Sequence, residues 1–173
     1  EAAEKTLGAC FVFQLLISAV LTVLLLVFGR SLLLAFGASA HTIGYASAYL
    51  GIYAAGTVFV QLTLGMNAFI TAQGFTRVSM RTVMIGAVLN ILLDPLFIYG
   101  FGLGVRGAAI ATVLSQAVSC AWVLRFLFGP DTLLRLRAAN LRLNAKIIGP
   151  CVALGLAPFI MTSSESVLAV CYN

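Results

Sequence analysis

Charge is what this sequence has least of. Only 9% of its 173 residues are Asp, Glu, Lys or Arg, whereas soluble domains carry roughly a quarter. With 62% hydrophobic residues, a water-soluble globule is excluded. Histidine is almost absent, with His41 alone. The four cysteines, Cys10, Cys120, Cys151 and Cys171, form no CxxC pair and have no histidine beside them, so a zinc-type ligand set is not expected and they read as small apolar packing residues. No signal peptide is expected either, because the first apolar run is too long for an h-region and no cleavage motif leads into a polar mature domain.

What remains is apolar sequence cut by widely spaced charges. About 20 apolar residues in a helix cross a bilayer core of about 30 Å, and five intervals are long enough. They run from Leu7 to Phe28, between His41 and Arg77, from about Thr82 to Gly102, from Gly107 to near Leu127, and from beyond Lys146 to the end. The runs are continuous and do not alternate at period two, which predicts helices and not barrel strands. The expected fold class is therefore all-α, a polytopic transmembrane helix bundle of about five spans.

The sparse charges also set an orientation. Lys5, Arg77, Arg81, Arg125, Arg135, Arg137, Arg142 and Lys146 fall on one side, and only Arg30 and Arg106 on the other. The positive-inside rule then places the N-terminus in the cytoplasm, with loops at 29–44 and 103–106 outside. The net charge of +5 is accounted for by this asymmetry and gives no support to nucleic-acid binding. An odd number of spans, no initiator Met and an end inside an apolar run suggest an excerpt from a longer chain. Between the fourth and fifth spans, FGPDTLLRLRAANLRLNAK (128–146) shifts in composition. Its leucines alternate with arginines, which predicts a cytoplasmic connector lying on the anionic inner leaflet, at a boundary between two bundles.

Within LNILLDPLFIYG (89–100), Asp94 and Pro95 interrupt a stretch otherwise suited to lipid. A carboxylate at mid-bilayer costs about 2.5–3.5 kcal/mol on insertion scales, so it needs partners or a task. Asn90 lies one helical turn before it on the same face. Pro95 removes a backbone hydrogen bond, frees a carbonyl of the preceding turn and predicts a kink. Two interpretations stand: an oxygen-rich pocket for a small hard cation or a proton, or a structural polar cluster capping a broken helix. Asn67 in GMNAFITAQG and Thr112 in RGAAIATVLSQ are either partners of that pocket or interhelical hydrogen-bonding groups. The small residues Gly107, Ala108, Ala109 and Ala111 would let helices approach closely enough to bring Thr112 near the third span. Gln73, Ser115 and Gln116 have weaker claims.

The run AVLNILLDPLFIYGFGLGVRGAAIATVLSQAVS resembles the fifth and sixth helices of multidrug and toxic compound extrusion (MATE) transporters. GMNAFITAQGFTRVSM is similar to the end of their fourth helix, and GLAPFIMTSSESVLAVCYN to their seventh. The resemblance covers essentially the whole chain. It implies helices three to seven of a twelve-helix, two-lobe transporter, without helices one, two and eight to twelve. On that comparison residues 1–128 are part of the N-terminal lobe, 129–146 the interlobe connector and 147–173 the first helix of the second lobe.

The implied function is a cation-coupled antiporter, not an enzyme, that exports small organic cations or amphipathic drugs across the plasma or inner membrane. Its partners would be the bilayer and the rest of the same chain. It would need no cofactor beyond a coupling Na+ or H+. The resemblance assigns that ion to Asn67, Asn90, Asp94 and Thr112, with an aspartate of the absent first helix. Glu165 matches an acidic position of the seventh helix, either a second coupling site or structural. A lipid-linked oligosaccharide flippase is the alternative of related architecture. It would call for basic residues at span centres, which this sequence lacks. A non-transporting membrane bundle is the third possibility.

The orientation is testable in the longer chain after its native cysteines are replaced. A membrane-impermeant thiol reagent applied outside should label a reporter cysteine at Ala38 or Gly104 and spare one at Ser79 or Ala138. The reverse pattern would overturn the topology.

Overall fold

With no water in the bilayer core, a spanning segment must satisfy its amide and carbonyl groups internally, and a continuous helix does so. The computed structural model describes residues 2–137, 140, 141 and 143–171, the last three by backbone alone. Five helices are long and apolar enough to cross a membrane. They are α1 (Ala2–Ala35), α2 (Ile43–Ala72), α3 (Thr76–Pro95), α4 (Gly104–Phe128) and α5 (Ala145–Cys171). Among the described residues there is no strand. The protein is an all-α transmembrane bundle.

Each predicted span overlaps one of these helices, but the third runs past the end of α3 at Pro95, and the first loop does not start at residue 29. Helix α1 continues through Arg30 to Ala35, since one long cationic side chain near a helix end can reach the headgroups without ending the helix. The link to α2 is correspondingly short. There the Ser39 amide donates to Thr42 Oγ1 (3.0 Å) and the Thr42 amide donates to Ser39 Oγ (3.3 Å), closing the turn that precedes α2.

Helix α2 is the centre of the packing, flanked by α1 and α4, while α3 lies chiefly on α4. The small residues of α4 act as expected. Gly107, Ala109 and Ala111 are buried, and a Cβ placed on Gly107 would lie 2.6 Å from the Phe97 carbonyl oxygen. That contact brings α4 against the far end of the third span. Helix α5 stands apart and meets only α1 among the described helices.

At the end of the bundle that carries Glu4, part of the connector packs against the helix ends. Leu136 is buried with Leu7, Met66, Ile70, Val123 and Leu127, although Leu133 and Leu143 remain exposed. Gln73 fixes this docking. Its Oε1 accepts from Thr132 Oγ1 (2.7 Å) and from the Leu134 amide (2.9 Å). The Leu136 amide donates to the Leu127 carbonyl (3.0 Å), and the Arg135 amide donates to Glu4 Oε1 (3.3 Å). A weak claimant to a transport site thus holds the connector.

Two glycine substitutions separate close packing from helix propensity. Gly107→Ala should lower thermal stability, by about 1–3 kcal/mol as for other overpacked contacts, because the obstacle is backbone. Gly51→Ala, where nothing lies within 4 Å, should be neutral or stabilising by up to about 1 kcal/mol. Thermal unfolding of the two variants in detergent checks this, and equal effects would contradict the packing of α4 on the third span.

Candidate cation site

Asn90 and Asp94 stand one turn apart on α3, and the Asn90 side-chain nitrogen donates to Asp94 Oδ1 at 3.3 Å. The same nitrogen donates to Thr112 Oγ1 on α4 at 3.4 Å. Thr112 in turn donates to the Ala108 carbonyl one turn back (2.9 Å). The amide therefore spends both hydrogens holding a carboxylate and a hydroxyl oxygen together across two helices. Asn90, Asp94 and Thr112 are all half-buried. Among the described residues no basic side chain pairs with Asp94.

Asn67 belongs to the same place but not to the same hydrogen-bond chain. It lines a cavity of about 280 Å³ with Asn90, Thr112, Thr63, Ser115 and Gln116. Its side-chain nitrogen donates to the Ser79 carbonyl (3.4 Å). Because that partner is an acceptor, the nitrogen must face it, and Asn67 Oδ1 is left buried with no hydrogen-bond partner. A buried acceptor without a donor costs about 1–3 kcal/mol, so this oxygen suits a ligand that supplies positive charge. One carboxylate with neutral amide and hydroxyl oxygens is a donor set for a hard cation.

The hydroxyls around the cavity are otherwise satisfied. Ser115 donates to Ala111 O (2.8 Å), Thr63 to Gln116 O (3.5 Å) and Ser119 to Thr82 O (3.3 Å). Thr63 and Ser119 were not singled out from sequence. Their signal was available, since Thr63 is one turn before Asn67, and Ser119 continues the Thr112 and Ser115 face of α4 at helical spacing.

Pro95 does not break the helix. Without an amide hydrogen it leaves the Ile91 carbonyl short of its usual donor, and the Leu96 amide bonds the Leu93 carbonyl. Beyond it the chain widens into a π-helical stretch, Leu96–Gly100, with the Phe101 amide reaching Leu96 O five residues back (3.0 Å). This stretch is the surface on which Gly107 packs, so proline, π-turn and close approach occupy one level beside Asp94. Glu165 is not brought to this cluster. It is exposed on α5, the helix that meets only α1.

Comparison with known proteins places the chain in a family. The sequence profile of the MatE family matches residues 1–96. Multidrug export protein MepA of Staphylococcus saprophyticus is 26% identical over 170 residues, covering 98% of this chain and 38% of that protein. An inward-facing multidrug resistance MATE family transporter of the MOP superfamily superimposes with a TM-score of 0.81 at 27% identity, over 88% of this chain and 35% of the other. A solved chain named protein A gives a TM-score of 0.91 at 34% identity, over 97% and 38%. This chain thus spans little more than a third of the length of these relatives, and within that third it belongs to the MatE family.

Proposed function

We propose that this chain is the ion-coupling portion of an antiporter that exports small organic cations or amphipathic drugs in exchange for Na+ or H+. One observation carries this reading: Asn90 joins Asp94 to Thr112 beside a cavity into whose lining Asn67 brings a buried, unpartnered oxygen. Similarity to a multidrug export protein and to a multidrug resistance transporter supports the choice of substrates. Residues 1–128 then belong to the N-terminal lobe, 129–146 to the interlobe connector and 147–173 to the second lobe. The N-terminus faces the cytoplasm of a cell whose plasma or inner membrane holds the protein. Glu165 is a second coupling residue that would take its partners from the rest of the chain.

The ion works by changing what Asp94 demands of its neighbours. Ionised and empty-handed, the carboxylate needs the Asn90 N–H and any water within reach. Once it binds Na+ or a proton its charge is compensated, that demand falls, and α3 and α4 can repack. Ion and drug need not touch; it is enough that they favour different packings of the same helices by a few kcal/mol.

Asp94→Asn keeps the side-chain shape and removes the titratable charge. In the full-length transporter it should abolish efflux while the protein still reaches the membrane. Efflux near the wild-type rate would sink the assignment of Asp94. Repeating the wild-type assay with Na+ replaced by choline tells the two coupling ions apart.

Pro95→Ala restores an amide hydrogen at a position where proline costs a helix interior about 3 kcal/mol. The variant should insert, melt at a higher temperature and lose transport, because a regular helix through residues 95–100 loses the π-turn that lets the third span switch packings. Unchanged efflux would mean that the proline is incidental to transport.

A further inference from the structure

Cys10 and Cys151 lie 141 positions apart in sequence yet line one cleft, bounded by α1, α2 and α5, with a volume of about 540 Å³. Both are free thiols, Cys10 half-buried and Cys151 exposed, and they are neighbours where α1 and α5 meet. The third described cysteine, Cys120, is buried at 3% exposure on α4 and lines no part of this cleft. Gln14 lines it too, so the cleft is not wholly apolar. As inert packing residues these thiols would need only to be small and apolar. Their convergence at the one place where α5 meets the rest of the bundle goes beyond that.

We propose that Cys10 and Cys151 form an oxidisable dithiol which, closed to a disulfide by a hydroperoxide, ties α5 to α1. The chemistry balances with the peroxide as the only co-reactant. One sulfur attacks a peroxide oxygen, the O–O bond breaks, and a sulfenic acid forms while the other oxygen leaves as water or an alcohol. The second thiol then attacks the sulfenic sulfur, loses its proton and expels the hydroxyl group as water. Two thiols lose two protons and two electrons, and the peroxide takes them up. A thiolate is the attacking form, so access of water to the cleft sets the rate. Because α5 meets no other described helix, a covalent bond there removes its freedom to move against α1. The consequence for transport rests on the proposed place of α5 in the second lobe. Bond formation itself does not.

The test uses the full-length transporter in liposomes, treated with hydrogen peroxide, digested and mapped by mass spectrometry alongside an efflux assay. A Cys10–Cys151 disulfide should form with the loss of two free thiols per chain while Cys120 stays reduced. Efflux should fall and return on adding dithiothreitol, and Cys10→Ser and Cys151→Ser should each keep their efflux under peroxide. Should a serine variant fail to insert, the alanine variant at that position replaces it. The proposal is overturned if no Cys10–Cys151 bond forms at a peroxide dose that oxidises glutathione in the same sample. It is overturned equally if both single variants lose efflux as the parent does. A disulfide that forms in a protein without efflux at the outset would support the dithiol and count against the antiporter reading instead.

Discussion

A single side-chain amide holds the centre of this structure. Asn90 donates both to Asp94 on its own helix and to Thr112 on the next, and in a membrane interior neither partner can turn to bulk water. That geometry requires α4 to lie close against the third span. Closeness in turn requires the small face of α4, with Gly107 against the Phe97 carbonyl, and a widened backbone turn after Pro95 to receive it. The remaining packing, α2 between α1 and α4, carries Asn67 to the edge of the same cavity.

The two ends of the bundle are treated differently. At one end the polar groups of Ser39 and Thr42 close a short turn by bonding each other. At the other, Gln73 and Glu4 reach out to the connector, and Leu136 enters an apolar cluster drawn from α1, α2 and α4. The chain leading to α5 is therefore anchored to three helices before α5 begins. Beyond that anchor α5 has few neighbours, and its long apolar faces, including Leu154 and Phe159, are exposed.

Much of this was legible in the residues themselves. The spans followed from the spacing of charges, because a bilayer tolerates few of them, and the pairing of Asn90 with Asp94 followed from helical periodicity. The approach of Thr112 followed from the small residues that precede it. Other features depended on contacts between distant segments and left no local mark. Arg30 has the charge of a loop residue, but its long stem lets it stay within α1 while its head reaches the headgroups. The connector's alternating leucines and arginines do not say which leucine turns inward, and it is Leu136 that enters the apolar cluster at the helix ends while Leu133 and Leu143 stay exposed. The unpartnered oxygen of Asn67 becomes visible only once the Ser79 carbonyl is known to occupy the nitrogen. Proline announces a disturbance in a helix, but its form here, a π-helical stretch over Leu96–Gly100, has no mark in the local sequence.

The central claim is that the link made by Asn90 prepares Asp94 and Thr112 to hold the coupling ion. Equilibrium binding of radioactive sodium, with proton uptake recorded in parallel, to the purified full-length transporter and its Asn90→Leu variant tests it most directly. Leucine keeps the bulk of the side chain and removes both hydrogen bonds. Because the variant loses the Asn90 oxygen and the hydrogen bonds that hold Asp94 and Thr112 together, and a hydrogen bond to a charged group contributes about 1.5–3 kcal/mol, the account predicts that sodium affinity falls by roughly tenfold or more in the variant. Proton affinity does not fall, since the lost N–H had favoured the ionised carboxylate. Ion binding in Asn90→Leu indistinguishable from that of the parent would contradict it.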